Sequence, residues 1–97
     1  MSFLFEWDRS KAEGNAKKHG VGFDEALTVF ADPLARIFSD PDHSDEEHRD
    51  VIIGHSATPR LILVCFTERE SKIRIINART ATSRERQDYE QNSRQTS

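Results

Sequence analysis

The residues LILVCFTERESKIRIINAR (61–79) set the centre of a β-sheet. Leu61–Phe66 is apolar at every position, which is typical of a strand buried on both faces. Glu68–Ser71 is polar and predicts a hairpin turn, and Ile73–Ala78 predicts the next strand. The sheet therefore has an antiparallel hairpin at its middle, and the other elements assemble around it.

Three more strands are predicted before this hairpin. Phe3–Trp7 alternates between apolar and polar residues, as a short strand does. Ala35–Phe38 and Val51–Gly54 are short apolar runs, and Ala57–Arg60 supplies the turn that leads into Leu61. The stretch 39–50 is dense in Asp, Glu and His, which predicts a solvated loop between two strands.

Capping signals mark three helices. The first begins at Asp8 or at Ser10, since Ser10 and Glu13 have the spacing of a capping box, and it ends at Gly20. A second helix carries apolar residues at 23, 27 and 30 and ends at Asp32-Pro33. The last opens with the capping box Thr82–Glu85 and runs to about Gln91.

This order of elements, β-α-α-β-β-β-β-α, predicts an α+β fold. We expect a mainly antiparallel sheet of four to five strands, with two N-terminal helices and a C-terminal helix clustered on one face. With 97 residues, the chain has the length of one domain, which we place at residues 1–91, followed by a polar tail at 92–97.

Charge is distributed unevenly along the chain. The net charge is −3, but residues 1–50 hold 6 basic against 12 acidic residues, whereas residues 51–97 hold 8 against 5. Six basic residues fall within 69–86: Arg69, Lys72, Arg74, Arg79, Arg84 and Arg86. Arginine binds phosphate well through its planar guanidinium, so this cluster indicates a local anion site rather than a generally basic surface.

The cysteine count and the apolar runs bear on the compartment. Cys65 is the single cysteine, which excludes an internal disulfide, and the apolar run Leu61–Phe66 is far shorter than the roughly 20 residues of a membrane span. No secretory signal is visible at the start of the chain. We expect a cytoplasmic protein with no membrane partner.

The strongest candidate site lies where the last strand meets the last helix. Strict alternation along 73–79 places Arg79 on one face of the strand and Arg74 on the other. Arg79 precedes the helix start at Thr82 by three residues, and a helix N-terminus beside an arginine binds anions. Arg86 and Tyr89 are neighbours on that helix. The alternative is that these arginines form ion pairs with Glu85, Asp88 and Glu90 at the surface.

Two further groups of residues could transfer protons or bind substrate. Lys18 and His19 end the first helix, where cations also interact favourably with the helix dipole and need no other role. Glu47, His48 and Arg49 close the acidic loop and precede the strand at Val51. The loop lacks the spacing of a zinc or calcium site, and the chain has no nucleophile or nucleotide motif, so no metal or cofactor is predicted.

Read from end to end, the chain resembles the BrnT family, the toxins of a class of bacterial type II toxin–antitoxin modules. The matching stretches are Phe5-Glu6-Trp7-Asp8, Lys18-His19-Gly20-Val21-x-Phe23-x-Glu25-Ala26, Val29-Phe30-x-Asp32-Pro33, Asp42-His43, Glu47-x-Arg49, Ile73-Arg74-Ile75-Ile76-x-Ala78-Arg79 and Glu85-Arg86-x-x-Tyr89-Glu90. They occur in order over residues 5–90, and their combination is specific although each piece alone is weak. Asn77 stands where the family usually has Ser.

The resemblance implies a RelE-like fold and a ribonuclease activity that halts translation. It also implies a BrnA-like antitoxin with a ribbon-helix-helix domain, and repression of the module's own operon by the complex, which alone binds operator DNA. RNA supplies its own nucleophile, the 2′-hydroxyl, so cleavage needs cations on the phosphate and groups that transfer protons.

These requirements assign the candidate residues of an RNA site. We expect Arg74, Arg79 and Arg86, supported by Arg49, to stabilise charge on the phosphate. The candidates for proton transfer are His19, Glu47, His48 and Tyr89. Lys18, Lys72 and Arg84 are expected to bind the substrate.

Two other functions are compatible with the residues. The basic C-terminal face could bind an acidic or DNA-binding protein without catalysis. Direct binding to DNA is the weaker of these two alternatives, because the acidic first half of the chain repels duplex phosphates.

Overall fold

A computed structural model describes residues 4–39 and 48–95, with the backbone alone for 92–95. These residues form β1 (Leu4–Glu6), α1 (Arg9–His19), α2 (Phe23–Thr28) with a 3₁₀ turn at Val29–Ala31, β2 (Arg36–Ser39), β3 (Asp50–His55), β4 (Leu61–Arg69), β5 (Lys72–Thr80) and α3 (Ser83–Gln95). The predicted α+β class and order of elements are confirmed. Within the described ranges, no helix is long and apolar enough to cross a membrane.

The five strands form one sheet in the order β1-β5-β4-β3-β2. β1 runs parallel to β5, and the other neighbours are antiparallel. β4 lies at the centre, as its apolar sequence predicted, and all seven residues of Leu61–Thr67 are buried.

A β-bulge in β5 decides which side chains share a face. Cys65 pairs with Asn77, but the next residue, Phe66, pairs with Ile75, so Ile76 is an extra residue without a partner. A bulge of this kind turns the strand and shifts the alternation by one residue. Strict alternation, which placed Arg74 and Arg79 on opposite faces, is therefore wrong.

The two faces of the sheet are covered unequally. α1 and α2 cover one face, where Phe23, Val29, Val64 and Ile75 belong to the main hydrophobic core. A smaller cluster lies on the other face, where Tyr89 of α3 packs on three sheet residues, Ile53, Leu61 and Leu63. The expectation that all helices cluster on one face is wrong, because Tyr89 supplies α3 with an apolar contact of its own.

Helix ends follow the capping signals, with one correction. Of the two predicted caps of α1, Asp8 is the one found, accepting a hydrogen bond from the Lys11 N–H at 3.0 Å, and Gly20 ends the helix with φ of 69°. α3 runs to Gln95 rather than ending near Gln91. It therefore continues into the stretch that the sequence assigned to a polar tail.

Asn15 joins α1 to β5 directly after the bulge. β1 pairs with β5 only as far as Arg74, so the backbone of Ala78 has no strand beside it on that edge. The Asn15 side chain takes this place: its Nδ2 donates to the Ala78 carbonyl at 2.8 Å, and its Oδ1 accepts from the Ala78 N–H at 3.1 Å. Nδ2 also donates to the Val21 carbonyl at 2.9 Å. One buried carboxamide thus satisfies three backbone groups.

We predict that Asn15→Ala lowers the free energy of unfolding by about 2–4 kcal/mol, because buried backbone groups lose their partners. Asn77→Ala, the same change at an exposed position of β5, should cost less than about 0.5 kcal/mol. Urea unfolding of the two variants and the wild type measures both values. Equal costs would contradict the structural role given to Asn15.

Candidate active site

Because of the bulge, the cations of β5 lie on one face of the sheet. Arg74 pairs with Thr67 and Arg79 pairs with Leu63, and both partners point to the face that α1 and α2 leave open. Lys72, paired with Arg69 of β4, lies on the same face. The side chains of Arg74 and Arg79 are 36% and 39% exposed, so both guanidinium groups can reach a ligand.

Glu6 of β1 holds two of these cations loosely. Its carboxylate lies 3.3 Å from Nη1 of Arg74 and 3.8 Å from Nζ of Lys72. Both distances are long for a charge-assisted hydrogen bond, and Glu6 is 33% exposed. A phosphate group would therefore compete with Glu6 for Arg74 at small cost.

Arg79 is held much more tightly. Its two terminal nitrogens donate to the two carboxylate oxygens of Glu85, each at 2.8 Å. The Thr82 N–H donates to Glu85 at 2.8 Å, and the Glu85 N–H donates to Thr82 Oγ1 at 3.2 Å, so the predicted capping box is formed. The hydrogen bonds from Arg79 lower the pKa of Glu85 to about 2. For Arg79, the alternative of an ion pair with Glu85 is the arrangement found.

The remaining basic candidates lie on other elements than β5. Arg86 and Arg84 are exposed on the first turns of α3, next in sequence to Glu85. Arg49 is half-buried directly before β3, and β4 separates that strand from β5. By the alternation of β3, Arg49 shares the face of Val51 and Ile53.

Lys18 and His19 do not lie on the face of the sheet that carries Arg74 and Arg79. They are exposed at the end of α1, which packs on the opposite side of the sheet through Ala12. The last turn of α1 also contains Lys17, and three cations there interact favourably with the helix dipole. Among the described residues, no hydrogen bond or ion pair joins Lys18 or His19 to Arg74 or Arg79, and α1 packs on the other face of the sheet.

Tyr89 anchors α3 and does not have a free phenol. Its ring is buried, at 4% exposure, and its hydroxyl donates to Asp32 Oδ2 at 2.9 Å. Asp32 also accepts from the His55 N–H at 2.7 Å and the Leu34 N–H at 2.9 Å. Burial raises the pKa of Asp32, but these donors outweigh it and hold that pKa below its ordinary value. The Tyr89 hydroxyl therefore stabilises the Asp32 carboxylate.

The hub at Asp32 was not predicted, since Asp32-Pro33 was interpreted only as the end of a helix. Gly54 is the signal that indicates it. A Cβ at that position would lie 2.9 Å from Asp32 Oδ2 and 2.9 Å from the Ala35 Cβ. Glycine inside a strand often marks such a close approach.

The proton-transfer candidates of the acidic loop are described only in part. Glu47 and the Asp42-His43 motif lie outside the described residues. The carbonyl of His48 accepts a hydrogen bond from Thr67 Oγ1 at 2.7 Å, and Thr67 is the strand partner of Arg74. The His48 side chain is 73% exposed, and its Nε2 lies 3.0 Å from Asp50 Oδ1. Asp50 pairs with Phe66 and shares the face of Ile52, so the exposed imidazole of His48 lies toward the face that α1 and α2 cover, not the face of Arg74.

Glu25, which belongs to the stretches that resemble the BrnT family, has a structural role. Its carboxylate accepts hydrogen bonds from Arg60, at 2.6 and 2.7 Å, from Ser56 at 2.7 Å, and from Thr58. The hydrogen bonds from Arg60 are the main reason that the pKa of Glu25 falls to about 2. This cluster ties α2 to the β3–β4 hairpin, away from the β5 cations.

Comparison with known proteins identifies a family and a similar solved structure. The family of ribonuclease toxins BrnT, of type II toxin–antitoxin systems, matches residues 7–85. The ribonuclease toxin BrnT of Brucella abortus, whose crystal structure was determined at 1.1 Å, is 26% identical with a TM-score of 0.65. The match covers 84% of this chain and 100% of that one. A search of curated proteins gives no match.

We predict that Tyr89→Phe lowers the free energy of unfolding by about 1 kcal/mol, because the hydroxyl no longer donates to Asp32. RNA cleavage should stay close to the wild-type rate, since the phenol has a structural role. Thermal unfolding and a cleavage assay on the same preparation test this. A large loss of cleavage with unchanged stability would instead restore Tyr89 as a proton-transfer group.

A second prediction concerns acid stability. The pKa of Glu25 is about 2 in the folded chain and near 4.5 when unfolded, so the unfolded state binds the proton first as the pH falls. The free energy of unfolding should therefore decrease between about pH 4.5 and pH 2. Glu25→Gln should cost roughly 1–2 kcal/mol at pH 7 and flatten this decrease.

Glu13→Gln is the matched control, because Glu13 is 70% exposed on α1. It should leave both the stability at pH 7 and the acid profile nearly unchanged. A Glu25→Gln variant with the full wild-type pH dependence would show that the hairpin cluster does not depress the pKa of Glu25. Glu85, with a similarly low pKa, contributes the part of the slope that remains.

Proposed function

Because the chain belongs to the BrnT family of ribonuclease toxins from type II toxin–antitoxin systems, we propose that it cleaves RNA without a metal ion on the open face of its sheet. The observation that supports this site most is the bulge at Ile76. It places Arg74, Lys72 and Arg79 on one accessible face, where a polyanion can contact them together.

In the proposed reaction the nucleophile belongs to the substrate. The ribose 2′-oxygen forms a bond to the adjacent phosphorus, and the bond from phosphorus to the 5′-oxygen of the next nucleotide breaks. A base takes the proton of the 2′-hydroxyl, and an acid protonates the leaving 5′-oxygen. The products are a cyclic phosphate and a free 5′-hydroxyl, so no group of the protein forms a covalent intermediate.

Arg74 is proposed to stabilise the charge that develops on the scissile phosphate. Its guanidinium is 36% exposed, and Glu6 holds it only at 3.3 Å. Lys72 is two residues away on the same face of β5 and would bind a neighbouring part of the RNA backbone. Preorganised cations of this kind act more strongly on the transition state than on the substrate.

Arg79, Arg86 and Arg49 are proposed to extend this binding surface. A strand rises about 3.3 Å per residue, so Arg74 and Arg79 leave β5 roughly 15 Å apart. They would therefore bind different phosphates along the RNA. Arg86 and Arg84 continue the basic surface onto α3.

Among the described candidates for proton transfer, we propose His48. Its exposed imidazole contacts Asp50, which lies on the face of Ile52 and the main core, so His48 would act on RNA at the edge of the sheet. Its backbone is hydrogen-bonded to Thr67, the partner of Arg74. Glu47, the preceding residue, remains a candidate for the second proton transfer.

In the cell, the proposed cleavage would inhibit translation, and a cognate antitoxin would neutralise the toxin. The antitoxin is proposed to be of the BrnA-like ribbon-helix-helix type and to supply the DNA contacts by which the complex represses its operon. Residues 1–50 carry 12 acidic residues against 6 basic ones, which opposes binding of the toxin alone to duplex DNA. A gel shift on operator DNA with the toxin, the antitoxin and the complex tests this division of roles.

We predict that the purified protein cleaves labelled RNA in the presence of EDTA and leaves 2′-O-methyl RNA and DNA intact, because the reaction needs the 2′-hydroxyl. Arg74→Ala should slow cleavage by about 10²-fold, the usual loss for one stabilising contact in the transition state. Arg9→Ala is the matched control, since Arg9 is 95% exposed on α1. It should cleave at the wild-type rate.

Two results would contradict the proposal. Loss of activity in EDTA that is restored by a divalent cation would show a metal-dependent reaction. Equal rates for Arg74→Ala and Arg9→Ala would remove Arg74 from the site and place RNA cleavage elsewhere on the molecule.

A further inference from the structure

The carboxylate of Glu85 occupies a set of donors that resembles a phosphate site. Arg79 presents both terminal nitrogens to it, each at 2.8 Å, and the Thr82 N–H at the start of α3 donates at 2.8 Å. A guanidinium binds carboxylate and phosphate with the same two parallel hydrogen bonds. A backbone N–H at a helix N-terminus likewise donates a hydrogen bond to either anion.

We propose that the Arg79 guanidinium and the Thr82 N–H form a phosphate-binding subsite for the RNA backbone, which the Glu85 carboxylate fills in the free protein. This inference rests on the proposed function and deepens it, because it adds Thr82 to the RNA surface and makes Glu85 an internal competitor of the substrate. The subsite binds a phosphate beside the scissile one, since Arg79 leaves β5 roughly 15 Å from Arg74.

The geometry allows Glu85 to leave without unfolding the helix. Its side chain is 29% exposed and that of Arg79 is 39% exposed, so both can exchange partners at the protein surface. The backbone N–H of Glu85 donates separately to Thr82 Oγ1 at 3.2 Å. That half of the capping box persists when the carboxylate swings away, and the start of α3 stays in place.

The same arrangement predicts the direction of the effect. Glu85 is ionised at neutral pH, because its pKa is about 2, so RNA always meets an occupied Arg79. Removing the negative charge of Glu85 should therefore strengthen RNA binding, whereas an ordinary structural ion pair would leave RNA affinity unchanged.

Glu85→Gln is the direct test, because glutamine keeps the capping box but loses the charge. The probe is a short 2′-O-methyl oligoribonucleotide, which binds but cannot be cleaved. Fluorescence anisotropy should show a Kd about 3–10-fold lower than that of the wild type, the size expected for removing one competing charged contact. Glu90→Gln, the same change at an exposed position of α3, should leave Kd unchanged.

The Arg79→Ala background separates the possible outcomes. If Glu85 competes for Arg79, Arg79→Ala weakens binding, and adding Glu85→Gln to it brings no gain. A gain from Glu90→Gln equal to that from Glu85→Gln would overturn the inference, because it would reflect net charge alone. If Arg79→Ala binds the RNA more weakly and Glu85→Gln binds it with the wild-type Kd, the inference is overturned and the proposed function stays intact.

If the Kd of Arg79→Ala equals that of the wild type, Arg79 does not bind RNA. The subsite is then wrong, and so is the role of Arg79 in the proposed function. One measurement on the wild-type chain avoids any effect of substitution on folding. The NMR signal of the Glu85 side-chain carboxyl carbon should shift when the same RNA is added, because the carboxylate loses Arg79. An unmoved signal at saturating RNA would overturn the inference.

Discussion

The hydrogen bonds between the Asn15 side chain and the backbone of Ala78 fix the part of the sheet on which the proposed chemistry depends. They hold β5 just after its extra residue, Ile76, where the strand turns over. Arg74 lies before this point and Arg79 after it, and the bulge puts both on the face that α1 and α2 leave open. Without it, Arg79 would lie on the opposite face from Lys72 and Arg74, and one of these two groups would lie under the helices, where charge is costly to bury.

At the opposite edge of the sheet, a second polar side chain, that of Asp32, takes the place of a missing strand in a similar way. β2 pairs with β3 only as far as Ile53, and Asp32 accepts the N–H of His55 just beyond that point. The same carboxylate accepts the hydroxyl of Tyr89 and so fastens α3 to the sheet. Two short edge strands thus leave backbone groups that side chains satisfy, and these side chains position the helices on either face. The consequence is a scaffold that holds Arg74 and Arg79 on one face of the sheet.

Local patterns carried most of the fold. The apolar run Leu61–Phe66 predicted the central strand, Gly20 the end of α1, and Thr82 with Glu85 the start of α3, because each depends on neighbouring residues alone. The bulge could not be predicted, since it reflects the fit of β5 against β4 and α1 over long sequence distances. For the same reason the paired state of Arg79, the buried role of Tyr89 and the separation of His19 from Arg74 emerged only in three dimensions. Gly54, inside a predicted strand, was a sequence signal of a close approach, and the structure shows that Asp32 is a group that approaches it.

The proposed RNA site is the sheet face that carries Arg74 and Arg79. Backbone amide NMR of the ¹⁵N-labelled protein, titrated with 2′-O-methyl RNA, locates the bound RNA. We expect the shifted signals to concentrate in Lys72–Thr80 of β5 and the first turn of α3. Shifts confined to α1 and α2, with Lys17, Lys18 and His19 at their centre, would contradict it, because that surface lies on the other side of the sheet.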